Sequence, residues 1–279
     1  MTNGDGKVAR VAQLFDALSD TYDDVGVEFF GPIAASLADA MPPRSGESWL
    51  DIGCGRGAVI DRIVDRVGSA GRVVGTDISA QMVAQARAGL DAASARHVQL
   101  LVDDAMDPSA ALGQFDTISS CLVLFFLPDP ELALERWRSH LVPGGRIGVT
   151  TFGPVDPGLE YVEEVLTDNL PPTLRDARTS GKQGPFSSDT AMEELLLRAG
   201  YVDAQTVTDK IEFGFSSEQQ WYEFSWSTGQ RAMWLAMSDE QRRTARSEAQ
   251  RRLALCAQTD GTFRFTQRVR HTLASLPGA

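Results

Sequence analysis

Cysteine and histidine are scarce in this chain. There are three of each, Cys54, Cys121 and Cys256 and His97, His140 and His271, all widely spaced. That scatter excludes a disulfide framework and offers no zinc-ligand spacing, so no metal is expected. Positive charge is short as well: 26 Lys and Arg stand against 38 Asp and Glu, a formal net charge of −12. So acidic a chain repels phosphate backbones, which argues against nucleic acid as a partner. The ordinary consequence of such a charge is solubility. Long apolar runs are missing too. The longest, Cys121 to Pro128, is far too short to cross a bilayer, so no membrane insertion is expected. The first residues, Met1 to Gly6, are polar and lead into an amphipathic helix rather than a signal-peptide core. The expectation is a cytoplasmic, reduced protein, monomeric or homodimeric, with a small molecule as its substrate.

What is present is an ordinary globular composition, 279 residues with 43% apolar, enough for one large α/β domain with insertions or for two small ones. Residues 7–40 read as two helices. Val8, Val11, Leu14, Phe15 and Leu18 recur at helical spacing, as do Phe29, Phe30, Ile33, Ala34 and Leu37. A Pro-Pro-Arg-Ser-Gly linker at 42–46 follows, so residues 1–44 read as an N-terminal helical cap and 45–279 as the main domain. From residue 48 short apolar runs at 48–52, 72–76, 98–102, 115–121 and 146–152 alternate with helical stretches at 57–67, 80–93 and 130–140, with a single turn near 108–112. Pro143-Gly144-Gly145 reads as a turn into the fifth strand. Alternation of this kind predicts parallel strands joined by right-handed crossovers, with helices on both faces. Pro154, Pro157, Pro171 and Pro172 break the rhythm, and residues 153–185 are expected to form a lid insertion with a helix over 159–170. Ser188 and Gly200 bracket a helix, 202–213 alternates as a strand, 215–257 is a second, largely helical lid insertion, and 261–274 is a final strand.

The densest signal is Asp51-Ile52-Gly53-Cys54-Gly55-Arg56-Gly57-Ala58, between an apolar strand and a helical run. Glycines there let a ligand approach the backbone, and the helix N-terminus offers free N–H groups. The spacing from Gly53 through Gly55 to Ala58 also fits a dinucleotide fingerprint, which would make the chain an NAD(P)-dependent oxidoreductase. Asp51 argues against that. A carboxylate a few ångströms from a pyrophosphate costs about 4 kcal/mol at an effective dielectric of ~20. A ligand carrying an amine or sulfonium suits the loop better. Asp77, at the end of the second strand, is placed to accept from ribose hydroxyls, or else to cap the next helix, a role that suits Ser79 better. Asp104, or its neighbour Asp103, is placed to accept from an adenine amino group. The segment Leu122 to Phe126 is either core or the floor of an apolar pocket.

In order and spacing these pieces resemble the class I S-adenosylmethionine-dependent methyltransferases, most of all the ubiquinone/menaquinone C-methyltransferase-like group. The pieces are Asp51-x-Gly53-x-Gly55-x-Gly57, Gly75-x-Asp77, Asp104-Ala105, the Phe115-Asp116 strand and Pro143-Gly144-Gly145, together covering about residues 45–152. The resemblance implies a Rossmann-like α/β fold, a seven-stranded and mostly parallel sheet with an antiparallel last strand. It implies S-adenosylmethionine as cofactor. Gly53 and Gly55 would approach its methionine part and Asp51 its amine, Asp77 the ribose, Asp104 with Ala105 the adenine, and Ile78 and Met82 the adenine faces. The backbone near Ser120 would meet the amine.

Methyl transfer from a sulfonium is an in-line displacement that needs alignment and a dry site. Acceptor contacts are expected from Tyr22, Leu122, Phe125, Phe126 and Trp226. A base is not evident. Tyr22, Glu160, Glu163, Glu164 and His271 are candidates, each also readable as a surface or structural residue. The expected function is C- or O-methylation of a small, largely apolar acceptor of secondary metabolism: a quinone, prenyl, polyketide or aromatic compound. The alternatives are a cyclase or isomerase that keeps the cofactor for structure, and the oxidoreductase.

Overall fold

A computed structural model of the chain describes residues 5–91, 94–168, 170 and 184–278. Helices α1 (Asp5–Leu18) and α2 (Phe30–Ala40) precede the alternating region. That region contains β1 (Ser48–Ile52), α3 (Ile60–Val67), β2 (Arg72–Asp77), α4 (Ala80–Gly89), β3 (Val98–Val102), β4 (Phe115–Cys121), α5 (Pro130–Trp137) and β5 (Leu141–Val155). Then come α6 (Pro157–Asp168), α7 (Asp189–Arg198), β6 (Val202–Phe215), α8 (Glu218–Trp226), α9 (Arg231–Leu235), α10 (Asp239–Ala254) and β7 (Phe263–Ser275).

The strands form one seven-stranded sheet in the order β3-β2-β1-β4-β5-β7-β6. Pairs among β1 to β5 are parallel, and β7 runs antiparallel to both β5 and β6. The central strands β1, β2, β4 and β5 are largely buried on both faces, which explains their near-continuous apolar sequences. Trp49 and Val73 face one layer with Ala34 and Leu37 of α2 and Ile60, Ile63 and Val67 of α3. Their neighbours Leu50 and Val74 face the other, with Leu134 and Trp137 of α5 and Leu195 and Leu196 of α7. Side-chain caps start the helices where the sequence supplies them. Ser79, Asp129, Ser188 and Ser217 each accept from a backbone N–H of the first turn, and Ser238 with Gln241 forms a capping box.

Several sequence boundaries are corrected by packing. β5 spans 141–155, so Pro143-Gly144-Gly145 is a bulge inside the strand, where its register with β4 slips, rather than a turn before it. Residues 153–155 consequently belong to the sheet and not to the lid. The helix expected over 57–67 starts at Ile60, because Gly57 with φ +96 is still in the turn. The helix expected over 80–93 ends at Gly89; residues 92 and 93 lie outside the described part. The helix expected over 159–170 is α6, ending at Asp168. Pro171 and Pro172, and with them most of the later half of the first lid insertion, also lie outside the described residues. The long helical stretch of the second lid is three helices, because Ser227, Thr228 and Gly229 break it and Ser238 caps a new start. Phe215 closes β6 and so is not part of that lid. No helix among the described residues is long and apolar enough to cross a membrane.

Candidate functional site

The chain runs from β1 outward to β3, then returns to place β4 on the other side of β1. The crevice at the carboxyl ends of β1 and β4 is therefore the switch point where open α/β sheets hold ligands. Two connected clefts open there, about 740 and 480 Å³ with their mouths included. They share Tyr22, Gly53, Gly55, Cys121 and Leu122.

The floor is the loop after β1. Gly53 and Cys54 donate backbone N–H groups to Thr76 O at 2.7 and 2.8 Å, which folds the loop over the end of β2. Gly53 has φ +74, and a Cβ on it would lie 2.3 Å from Val123 Cγ2. Gly55 has φ +53 with nothing within 4 Å of a Cβ, so any side chain there would project into the cleft. Asp77 braces the loop. One of its carboxylate oxygens accepts from Gly55 N and the other from Ser79 N, both at 2.9 Å. Burial raises its pKa, and these backbone donors oppose that shift. Ser79 is the helix cap, accepting from Met82 N at 3.0 Å. Asp77 is thus free of that duty and lines the first cleft.

Asp51 is 1% exposed and lines the second cleft. Its Oδ1 accepts from the Ser119 hydroxyl at 2.6 Å, and that oxygen in turn accepts from Trp49 Nε1 at 2.8 Å. Its Oδ2 is buried and has no partner among the described residues. Burial pushes this carboxyl up to about 7; the Ser119 hydroxyl opposes the shift and Asp77 adds to it. A half-satisfied buried carboxylate beside a glycine cradle has the chemistry to take a cation, since unpaired buried charge is strongly unfavourable.

Asp103 and Asp104 both line the first cleft, and the structure separates them. Both oxygens of Asp103 accept backbone N–H groups, from Asp104 and Ser109 at 2.9 Å each. Asp104 accepts from Met106 N at 2.8 Å through Oδ1. Its second oxygen has no partner among the described residues. Ile78, Met82 and Ala105 complete this part of the wall. Ser120 does not reach it. Its side chain is fully buried and its hydroxyl donates to Ile52 O at 3.0 Å, while the stretch beside it, Cys121 and Leu122, lines the wall. Leu122 has φ +60, a left-handed conformation that costs a non-glycine residue roughly 1–2 kcal/mol and is held by Leu122 N donating to Thr150 O at 3.0 Å.

Among the expected acceptor contacts, Tyr22, Leu122 and Phe126 lie on the wall. Phe125 does not: it is 3% exposed and stacks on Phe152 at 5.6 Å, so it is core. Trp226 is in the lid, stacked with Trp234 at 6.3 Å, and does not line either cleft. Of the candidate bases only Tyr22 is in place. Its hydroxyl has no described hydrogen-bond partner, and burial raises its pKa, with Cys121, Asp23 and Asp77 adding. Glu160, Glu163 and Glu164 of α6 lie off the clefts. His271 is fully buried in β7, with one ring nitrogen 2.8 Å from Ser36 Oγ and the other 2.9 Å from Thr150 Oγ1. Burial lowers its pKa to about 4, Asp209 opposing, so it is a neutral structural residue.

The sequence implies an N-terminal helical cap without saying what it covers. Val11 and Phe15 of α1 cover the first cleft. Asp16 ties that helix to α4 by accepting from Ser79 Oγ at 2.6 Å and from Gln81 N at 3.2 Å. The signal was the apolar stripe of α1, which needed a partner.

The methyltransferase domain family matches residues 50–145. Nocamycin O-methyltransferase of Saccharothrix syringae is 33% identical over 253 residues, 86% of this chain and 89% of that one. Aklanonic acid methyltransferase DauC of Streptomyces sp. (strain C5) is 42% identical over 174 residues, 60% of this chain and 79% of that one. Among solved structures, YcgJ of Bacillus subtilis superposes with a TM-score of 0.57 at 17% identity, covering 88% of this chain and 99% of that one.

Proposed function

This chain belongs to the class I S-adenosylmethionine-dependent methyltransferases, and on that footing we propose that it O-methylates an acidic oxygen on a small, largely apolar acceptor of the aromatic or polyketide kind. Membership in that family sets the dinucleotide oxidoreductase aside. When bound, S-adenosylmethionine supplies the methyl group and a thioether leaving group on one sulfonium centre.

The observation that carries the assignment of the site is the unpartnered Oδ2 of Asp51 at the base of the glycine loop. It suits the cofactor's amine and would repel a pyrophosphate. Gly53 and Gly55 leave room for the methionine part, Asp77 faces the ribose, and the open oxygen of Asp104 takes the adenine amino group. Ile78 and Met82 pack the adenine. Asp51 lines one cleft and Asp77, Ile78, Met82 and Asp104 the other, and Gly53 and Gly55 line both, which supports reading them as one site.

On the acceptor side the wall is Leu122, Val123, Phe126, Leu127 and Pro128, with no side chain able to take a proton. Tyr22 adds a polar tip whose raised pKa makes it a donor rather than a base, and Asp23, its carboxyl pushed up to about 6 chiefly by burial, lies in the second cleft. Such a wall favours an acceptor oxygen that is already ionised, a carboxylate or an acidic enol or phenol, because no base is then needed. The names of the two relatives, an O-methyltransferase and a methyltransferase of an acid, point the same way. The protein's part is to align the oxygen with the methyl and to keep water out.

Two measurements test this. Calorimetry should show S-adenosylmethionine and S-adenosylhomocysteine binding and NAD(P) failing to bind. Labelled methyl transfer to a panel of polyketide-type acids, phenols and carbon nucleophiles should give label on oxygen. Label on carbon only, or no transfer to any acidic oxygen, would overturn the acceptor reading.

A further inference from the structure

Five aspartates line the two clefts: Asp77, Asp103 and Asp104 in the first, Asp23 and Asp51 in the second. Against them stands one basic side chain among the described residues, Arg56, in the second cleft with Asp51. Arg56 is flanked by Gly55 and Gly57, with φ +53 and +96, in the bend between β1 and α3. One guanidinium nitrogen, Nη1, donates to Tyr22 O, which ties the bend to the linker between α1 and α2. That bond needs a donor but not a charge. No carboxylate among the described residues is hydrogen-bonded to this guanidinium or paired with it. Asp23 is near enough to feel it: burial pushes that carboxyl up to about 6, and the Phe30 backbone and Arg56 oppose the shift. A guanidinium stays charged at every working pH and carries five N–H donors. A half-buried one whose described partner is a single neutral carbonyl still has donors and charge for an anion.

The cofactor assigned to the site ends in an α-amino acid, whose amine and carboxylate share one carbon. The second cleft offers a carboxylate with an unpartnered oxygen, Asp51, and this one cation. Resting on the function proposed above, we propose that Arg56 takes the cofactor's carboxylate while Asp51 takes its amine, so that the second cleft reads a zwitterion and Arg56 determines specificity for the intact amino-acid head. Without Arg56, a carboxylate entering among five aspartates would meet only like charge. The acceptor's acidic oxygen is not the anion that Arg56 serves. Val123, Phe126, Leu127 and Pro128 of the acceptor wall line the first cleft, and Arg56 does not. The selectivity that follows is against the decarboxylated, amine-only form of the same nucleoside, which pairs with Asp51 but leaves the guanidinium without its anion.

The test titrates the full chain by calorimetry with two thioether probes that share the nucleoside and the amine, S-adenosylhomocysteine and its decarboxylated analogue. The wild-type protein is expected to bind S-adenosylhomocysteine roughly ten- to a hundredfold more tightly, the range of a hydrogen bond to a charged group. Arg56→Gln, which keeps an N–H donor for Tyr22 O and loses the charge, should weaken S-adenosylhomocysteine by about that factor and leave the analogue unchanged. Arg56→Lys, a point charge without the planar fork, should keep part of the preference. Asp51→Asn should weaken both probes alike, because both carry the amine. Were Arg56 only a pin for the linker, its replacement would also weaken both alike. Thermal melts identify a variant that fails to fold; Arg56→Met then decides by the same comparison. Equal or reversed affinity for the two probes in the wild type, a preference that survives Arg56→Gln, or a parallel loss on both probes in that variant would overturn the proposal. Failure of both probes to bind the wild type would instead overturn the functional reading beneath it.

Discussion

Replacing Asp51 by Asn is the sharpest test of the site, because the structure sets its pH dependence. Asp51 titrates near 7 in the fold against 3.8 in the unfolded chain, and burial is the cause. A raised carboxyl favours the fold in its protonated form. That contribution is complete below about pH 4 and is lost as pH rises through 7. The interval is worth on the order of 4 kcal/mol at about 1.4 kcal/mol per pH unit. The ligand-free wild type is therefore expected to be less stable at pH 8 than at pH 5, and Asp51→Asn, which keeps an acceptor for Ser119, to flatten that slope. Binding runs the other way. A cationic amine needs Asp51 ionised, so cofactor affinity should rise about tenfold per pH unit up to 7. It should fall again above about 8, where an α-amino group loses its own proton. The variant should lose the rising limb and weaken binding at pH 7.5 by about 2–4 kcal/mol, the scale of a close pair at intermediate dielectric. Calorimetry from pH 5.5 to 8.5 with both S-adenosylmethionine and S-adenosylhomocysteine checks this; the second lacks the sulfonium charge, so a shared profile assigns the effect to the amine. Wild-type affinity that ignores pH, or a variant that binds as tightly as the wild type, would refute the reasoning.

Two further outcomes rest on packing. Gly53→Ala places a Cβ 2.3 Å from Val123 Cγ2 at φ +74, so it should cost about 2 kcal/mol or more in denaturant unfolding. Adding Val123→Ala should recover the steric part and leave the left-handed strain. For His271, a pKa near 4 against 6.5 unfolded means that the neutral ring favours the fold above pH 6.5 and gives that up as pH falls toward 4. The loss is on the order of 3 kcal/mol. His271→Gln should remove that slope in an unfolding series between pH 7 and 4 while leaving cofactor binding unchanged.

The loop from Asp51 to Gly57 was legible because turn chemistry is local. A left-handed φ admits few residues besides glycine, and the strand, turn and helix periods on either side are short-range. Asp77 was legible as a residue with two possible duties, and only geometry separated them: Ser79 takes the cap, so Asp77 faces the cleft. The same holds for Asp103 and Asp104, which differ in how many backbone N–H groups each carboxylate already holds. Trp226, Phe125 and His271 were plausible by residue type alone. Their distance from the cleft depends on which face of a lid helix, a loop or a strand each occupies, and no local pattern states that. The bulge at Pro143 to Gly145 escaped for a related reason: Pro-Gly-Gly reads locally as a turn, and only pairing with β4 on either side of it shows the slip in register.

By itself the order of residues determined the alternating α/β plan, the glycine bend and the carboxylates that follow the first three strands, because periodicity and turn preference act over a few residues. Tertiary structure decided the rest. It brought α1 over the crevice through Asp16 and left one oxygen of Asp51 without a partner among the described residues. Those are contacts between segments far apart in the chain, and burial, which gives each of them its chemistry, exists only once the sheet and its layers have closed.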